Sequence, residues 1–173
     1  VLLNPLDPIF IGYTIASKCE VGSKTLFKEN PSDISWVFAR KHGKPAIADC
    51  ENFTSELSKI TDEEGNYLYR ETNMLAHLFS LEAIKRMTRV ELPYHRAFRK
   101  NAFVNSEGMK QVPDNPNIYK FEQFVFDAFS FFNNVALLRV DKEKEFAPIK
   151  AFNGPYNPEI AAQKYNDLVI KRL

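Results

Sequence analysis

One stretch, from Pro113 to Lys150, most constrains what this chain can fold into. Its centre runs Lys120-Phe121-Glu122-Gln123-Phe124-Val125-Phe126-Asp127-Ala128-Phe129. Apolar residues at Phe121, Phe124, Val125, Ala128, Phe129 and Phe132 recur with the spacing of one helix face, and Asn133-Asn134 stops the pattern. This predicts an amphipathic helix whose Phe stripe is core rather than a cofactor box. Val135 to Val140 reads as a buried strand, being short, apolar and partly β-branched. A charged run from Asp141 to Glu145 follows, then Phe146-Ala147-Pro148-Ile149-Lys150. A helix feeding a buried strand that ends in a loop with one lysine suits a ligand site, because ligands in α/β sheets lie beyond the carboxyl ends of the strands.

At 173 residues with 15 Phe, the chain is one domain or a large piece of one, and it can bury a sizeable core. A net charge of +1 gives no sign of nucleic acid or an anionic membrane as the main partner. The apolar runs fall far short of the ~20 residues that span a bilayer. No signal peptide is visible, so the expected compartment is the cytoplasm. Cys19 and Cys50 make neither a disulfide framework nor a metal site and read as free and mostly buried. The chain begins Val1-Leu2-Leu3 without an initiator Met, which suggests a fragment of a longer protein.

Punctuation residues divide the rest. Asp7-Pro8 predicts a helix start, with the helix running from Ile9 to Lys18 and Gly22 closing that region. Lys24 to Lys28 reads as a strand. Ile34 to Arg40 and Lys44 to Ala48 read as strands joined by a His42-Gly43 hairpin turn. Glu51 to Ile60 is ambiguous, Thr61 to Asn66 is an acidic turn, and Tyr67 to Arg70 reads as a strand, with Glu71 to Phe79 extended or partly so. Ser80 caps a predicted helix from Leu81 to about Met87. The basic segment Arg96 to Lys100 precedes a second hairpin around Asn105-Ser106-Glu107-Gly108, and Asn157-Pro158 starts a C-terminal helix toward Arg172. Strands, helices and hairpins together indicate an α/β fold with a mixed sheet.

Several segments, in order, resemble the eukaryotic-type UDP-sugar pyrophosphorylases, and within them the UDP-N-acetylglucosamine pyrophosphorylases. Asp7-Pro8-Ile9-Phe10-Ile11-Gly12-Tyr13 looks like the family's ADPxFIGF segment. Asn73 with His77 stands where the family has GNIxxH, and Leu92 to Lys100 is similar to LPYHxAxKK. Pro113 to Asn117 and Lys120 to Asp127 are similar to PxxPNxxKxExFVFD, Glu145 to Lys150 to EFSPLK, and Asn157-Pro158 to the Asn-Pro just after it. The likeness spans roughly Asp7 to Ala162.

This resemblance implies part of a Rossmann-like nucleotidyltransferase domain with hairpin insertions. It implies a reaction that joins UTP and a sugar 1-phosphate, releases pyrophosphate and uses Mg²⁺. Residues 1–173 would form the sugar-binding half, inactive alone, because the Gly-rich GGxGTRxG loop that cradles UTP phosphates and the aspartate that helps hold Mg²⁺ are not in this chain. Lys150 would act as a point charge on phosphate oxygens, or be a solvated loop lysine. Asn73 would hydrogen-bond sugar hydroxyls or an acyl amide, or simply end a strand. Glu122 would accept from a sugar hydroxyl, or be a first-turn glutamate favoured by the helix dipole. Lys120 and His95 are further substrate-binding candidates, although a lone His is more often structural.

Two departures bear on the sugar. The family's AGN is Glu71-Thr72-Asn73 here, so a threonine replaces a small glycine. The family's EYSE segment corresponds to Asp49-Cys50-Glu51-Asn52, its glutamate falling on Asn52, or on Glu51 with a one-residue shift. These departures motivate the alternative of a non-catalytic, pyrophosphorylase-like binding module.

Overall fold

Six of the seven residues of strand β1 (Val21–Phe27) are buried, so the sheet around it is covered on both faces. A computed structural model of the chain describes residues 2–4, 6–28, 30, 36–48 and 54–170. β2 (Val37–Lys41), β3 (Lys44–Ala48), β4 (Glu71–Phe79) and β9 (Ala136–Arg139) join β1 in one five-stranded sheet of order β3-β2-β4-β1-β9. β1 is antiparallel to β4 and parallel to β9, which makes the sheet mixed as expected.

One face of β1 carries Gly22, Lys24 and Leu26 under helix α1 (Pro8–Ala16). Asp7 caps that helix, its carboxylate accepting from the Ile9 amide at 3.0 Å, and Pro8 opens it. Gly22 does not close the helical region. It lies within the strand, where a Cβ would come 2.3 Å from Thr14 Oγ1 and 3.0 Å from the Phe10 ring. Glycine at this position lets α1 approach the sheet.

The other face meets the Phe-rich segment, which is not the α-helix its spacing predicts. Ile118–Glu122 forms strand β8, paired antiparallel with β5 (His95–Arg99), and Val125–Phe131 forms a 3-10 helix. Two physical reasons account for the difference. Ile-Tyr-Lys-Phe suits a pleated strand, and Tyr119 stacks on Phe98 at 4.6 Å. Beyond it, Phe126, Phe129 and Phe132 repeat every third residue, the period at which 3-10 side chains eclipse. All three are buried with Val21 and Ala83 in the main core. Phe121 and Val125, which a helical face would bury, are 59% and 43% exposed. The Trp36 ring packs edge-to-face with both Phe124 and Phe126, with ring centroids 4.7 Å apart in each pair.

Local signals hold elsewhere. His42 and Gly43 take positive φ, 51° and 77°, in the tight turn joining β2 to β3. Ser80 caps helix α2 (Leu81–Met87), accepting from the Ala83 amide. Tyr67 to Arg70 is no strand: one bridge, Thr61 to Tyr67, closes the acidic turn, and pairing resumes at Glu71. A 3-10 turn at Leu57–Lys59 occupies the ambiguous region. The second hairpin forms as β6 (Phe103–Val104) and β7 (Lys110–Gln111). The charged run is not all loop, because Asp141 caps a one-turn helix α3 (Lys142–Glu145). Helix α4 (Pro158–Ile170) follows Asn157, whose side chain accepts from the Ile160 amide. Cys19 is free but only half-buried. Cys50 and the expected strand start at Ile34 lie outside the described residues. Among the described residues no helix is long and apolar enough to cross a membrane.

Candidate functional site

The carboxyl ends of the parallel strands β1 and β9 lie at one edge of the sheet, and antiparallel β4 begins there. Arg139, Thr25 and Asn73 form a row across these strands. Directly opposed residues share a face, so all three point to the face covered by the Phe-rich segment. Glu71, on the same face, takes one hydrogen bond from Thr25 Oγ1 at 2.5 Å and pairs with the Arg139 guanidinium. That guanidinium lies 4.8 Å from the Phe27 ring.

Asn73 owes its setting to a bulge. The ladder jumps from Lys24 opposite Ala76 to Thr25 opposite Asn73, leaving Met74 and Leu75 unpaired with β1. Leu75 takes φ 63°, a conformation that costs a β-position residue of order 1–3 kcal/mol and recurs beside functional sites. Asn73 Oδ1 accepts from the Leu75 amide at 2.9 Å, and the Asn73 amide donates to the Trp36 carbonyl at 2.7 Å. Asn73 Nδ2 is buried with no partner, an unspent donor beside the strand ends. A buried orphan donor costs about 1–3 kcal/mol, which favours a role for it.

A hollow of about 270 Å³ opens near this edge. Its walls come from Phe38, Ala39, Arg40 and Pro45 on the β2–β3 hairpin, from Leu68, Tyr69 and Glu71, and from Val135 and Leu137 at β9. Apolar walls with a few convergent polar groups are what small-molecule sites use. Asn73 is two residues from Glu71, but neither it nor Lys150 is among these lining residues.

Lys150 follows β9 in the chain, and its segment is tied through Glu145 to Lys24 on the α1 face of the sheet, opposite the face of Asn73. The chain leaves β9, turns through α3 and runs to Lys150, whose exposed side chain follows a backbone amide bonded to the Tyr156 carbonyl at 2.9 Å. Thr72, the departure from the family glycine, points to the opposite face. It is buried and donates to the Leu26 carbonyl at 3.1 Å, so its bulk stays off the face of Asn73 and Glu71.

The other candidates group on the β5–β8 ribbon. Lys120 Nζ pairs with Glu122 Oε1 at 2.6 Å, and His95 lies opposite Glu122. Glu122 ends a strand, so the first-turn, helix-dipole reading does not apply to it. His95 Nε2 meets Asp127 Oδ2 at 2.8 Å and its ring lies 4.8 Å from Phe124, tying the ribbon to the 3-10 helix. Glu51 and Asn52 lie outside the described residues.

Sequence reasoning gave no role to two buried groups. Lys24 is fully buried, with Nζ 2.9 Å from Asp7, 2.5 Å from Glu145 and 3.2 Å from the Asn4 carbonyl. Its hydrogen bond holds the Asp7 carboxyl below the usual carboxylate range. A lysine at an inward position of a strand was the available signal. His77 packs its ring against Phe129 at 5.2 Å, with Nδ1 3.0 Å from Ser23 Oγ and Nε2 unpartnered. Burial pushes its pKa down to about 4. Among the described residues no three His, Cys, Asp or Glu side chains gather to hold a metal ion.

The mixed sheet with its bulged asparagine strand has the fold of a nucleotidyltransferase-type α/β domain, the class of its structural neighbours. The crystal structure of the Trypanosoma brucei UDP-N-acetylglucosamine pyrophosphorylase in complex with inhibitor shares this fold, with TM-score 0.73 and 27% identity over 94% of this chain and 32% of that one. The chain belongs to the UDP-sugar pyrophosphorylase family. It is 33% identical over 153 residues to human UDP-N-acetylhexosamine pyrophosphorylase-like protein 1, covering 87% of this chain and 30% of that protein. It is also 33% identical over 175 residues to the Saccharomyces cerevisiae UDP-N-acetylglucosamine pyrophosphorylase, covering 95% of this chain and 36% of that protein. The chain thus spans about a third of the length of the curated relatives it matches. No protein-family profile matches it.

Proposed function

We propose that this chain is the sugar-side portion of a uridylyltransferase that joins UTP to a sugar 1-phosphate, N-acetylglucosamine 1-phosphate foremost, giving a UDP-sugar and pyrophosphate. The observation that carries this reading is the common edge. The orphan donor of Asn73 stands where β4 begins, and the loop bearing Lys150 leaves β9 at the same end. The names of the matched relatives support this chemical class.

In this chemistry an oxygen of the sugar phosphate attacks the α-phosphorus of UTP in line with the leaving pyrophosphate. Positioning and charge neutralisation do the work, and no covalent nucleophile is required. Asn73 would donate to the sugar and hold it in line. Lys150 would offset phosphate charge as a point cation. Glu122 and Lys120, already paired, would present their remaining hydrogen-bonding capacity from the ribbon, and His95 would hold that ribbon in place. The Gly-rich loop for UTP and the ligands of the Mg²⁺ that neutralises the triphosphate would come from outside this chain, with the reaction in the cytoplasm. The alternative of a non-catalytic binding module loses one of its two motives, because Thr72 turns away from the candidate face.

The test is pyrophosphate release by the natural-length protein supplied with UTP and, in turn, N-acetylglucosamine, N-acetylgalactosamine or glucose 1-phosphate. The expected result is release with an N-acetylated substrate at least tenfold faster than with glucose 1-phosphate, a ratio about the size that one well-placed apolar or polar contact sets. Tight UDP-sugar binding without release from any of the three would favour the binding module.

A further inference from the structure

We infer that Lys24 is a positioning residue for Lys150: its buried ammonium, held between Asp7 and Glu145, fixes where the Glu145–Lys150 segment leaves the sheet. The inference rests on the reading of Lys150 as a phosphate contact.

Lys24 lies at the middle of β1, and its side chain has no solvent exposure. An ammonium has three donors, and each finds an acceptor: Asp7 at 2.9 Å, Glu145 at 2.5 Å and the Asn4 carbonyl at 3.2 Å. Asp7 alone would neutralise the charge. The second carboxylate comes from 121 positions away along the chain and is the last residue of α3. A buried ion pair adds little net stability over packed apolar residues, and its attested use is to fix one arrangement among several. The arrangement fixed here is the exit of the lysine loop.

Little slack separates Glu145 from Lys150. The Phe146 amide donates to the Lys142 carbonyl at 3.0 Å, and the Phe146 ring meets Tyr156 edge-on at 6.4 Å. Ala147 is buried against Leu2 and Ala161. Pro148 has a ring-fixed φ. The Lys150 amide is bonded to the Tyr156 carbonyl. A displacement of Glu145 therefore passes to Lys150 instead of being absorbed between them.

Lys24→Met would strand two carboxylates and endanger folding, so the test uses Glu145→Gln, which keeps the Lys24–Asp7 pair. Glu143→Gln, which removes only an exposed pair between α3 and Lys164 of α4, is the control. Both are made in the natural-length protein alongside Lys150→Ala and the double variant Glu145→Gln/Lys150→Ala. Steady-state kinetics are measured for UTP and N-acetylglucosamine 1-phosphate. Glu145→Gln should lower kcat/KM for the sugar 1-phosphate about tenfold or more, since a misplacement near 1 Å can cost up to about a hundredfold, with the KM for UTP within about twofold. Glu143→Gln should match the unsubstituted protein. The double variant should be no slower than Lys150→Ala, because the two side chains act on one contact. Additive losses in the double variant, or an unchanged kcat/KM in Glu145→Gln while Lys150→Ala is impaired, overturn the positioning role alone. An unimpaired Lys150→Ala overturns the reading of the site itself.

Discussion

Lys150→Ala in the natural-length protein lowers turnover by about a hundredfold or more, the scale on which a preorganised group facing developing charge contributes to a rate. The side chain is exposed and its backbone amide, not its ammonium, carries the bond to Tyr156, so the substitution leaves folding intact. A fall in kcat at unchanged melting temperature would therefore report charge at the phosphates and not damage to the loop. Lys150→Arg should recover only part of the loss, because a planar guanidinium does not place its charge where a compact ammonium does. The measurement is kcat by pyrophosphate release, and near-normal turnover in Lys150→Ala would remove the residue from the mechanism.

The second large effect is on stability. Burial holds His77 at a pKa of about 4 against an ordinary value of 6.5. Between those values the unfolded chain takes up a proton that the folded chain refuses. The contribution is therefore complete above pH 6.5 and is lost as the pH falls toward 4. The shift corresponds to about 3 kcal/mol, with a slope near 1.4 kcal/mol per pH unit inside the window. Asp7 and Asp141, whose carboxyls are held below the usual carboxylate range, add their losses at lower pH than the histidine. Denaturant unfolding across that pH window should show the slope, and His77→Gln should flatten it by close to one proton. Equal slopes in both proteins would mean that the ring titrates normally in the folded state.

Several of the strongest local signals were legible in the sequence, although the Asp141 cap of α3 was passed over. Asp7-Pro8, Ser80 and Asn157 announce helix starts because a short polar side chain meets the first free amides. His42-Gly43 announces a hairpin because both residues tolerate positive φ. The Phe-rich segment was misread because periods of 3.6 and 3 share most of their apolar positions over a short run. Phe126, skipped by the helical face and buried by the 3-10 one, is the residue that separates them. What lies far apart in sequence stayed hidden. No local pattern joins Lys24 to both Asp7 and Glu145, or Glu71 to Arg139. The bulge that isolates Asn73 is a property of strand register, which neighbouring strands decide. Asn73 entered as a candidate through likeness to a family motif alone, whereas Lys150 was also marked by its place in a loop after a buried strand.

A structure of the natural-length protein with UDP-N-acetylglucosamine bound tests the central claim most directly. The account predicts Asn73 Nδ2 within about 3 Å of a sugar oxygen and Lys150 Nζ within about 3 Å of a phosphate oxygen of the same ligand. A ligand seated away from the edge where β4 begins and β9 ends, touching neither side chain, would contradict it.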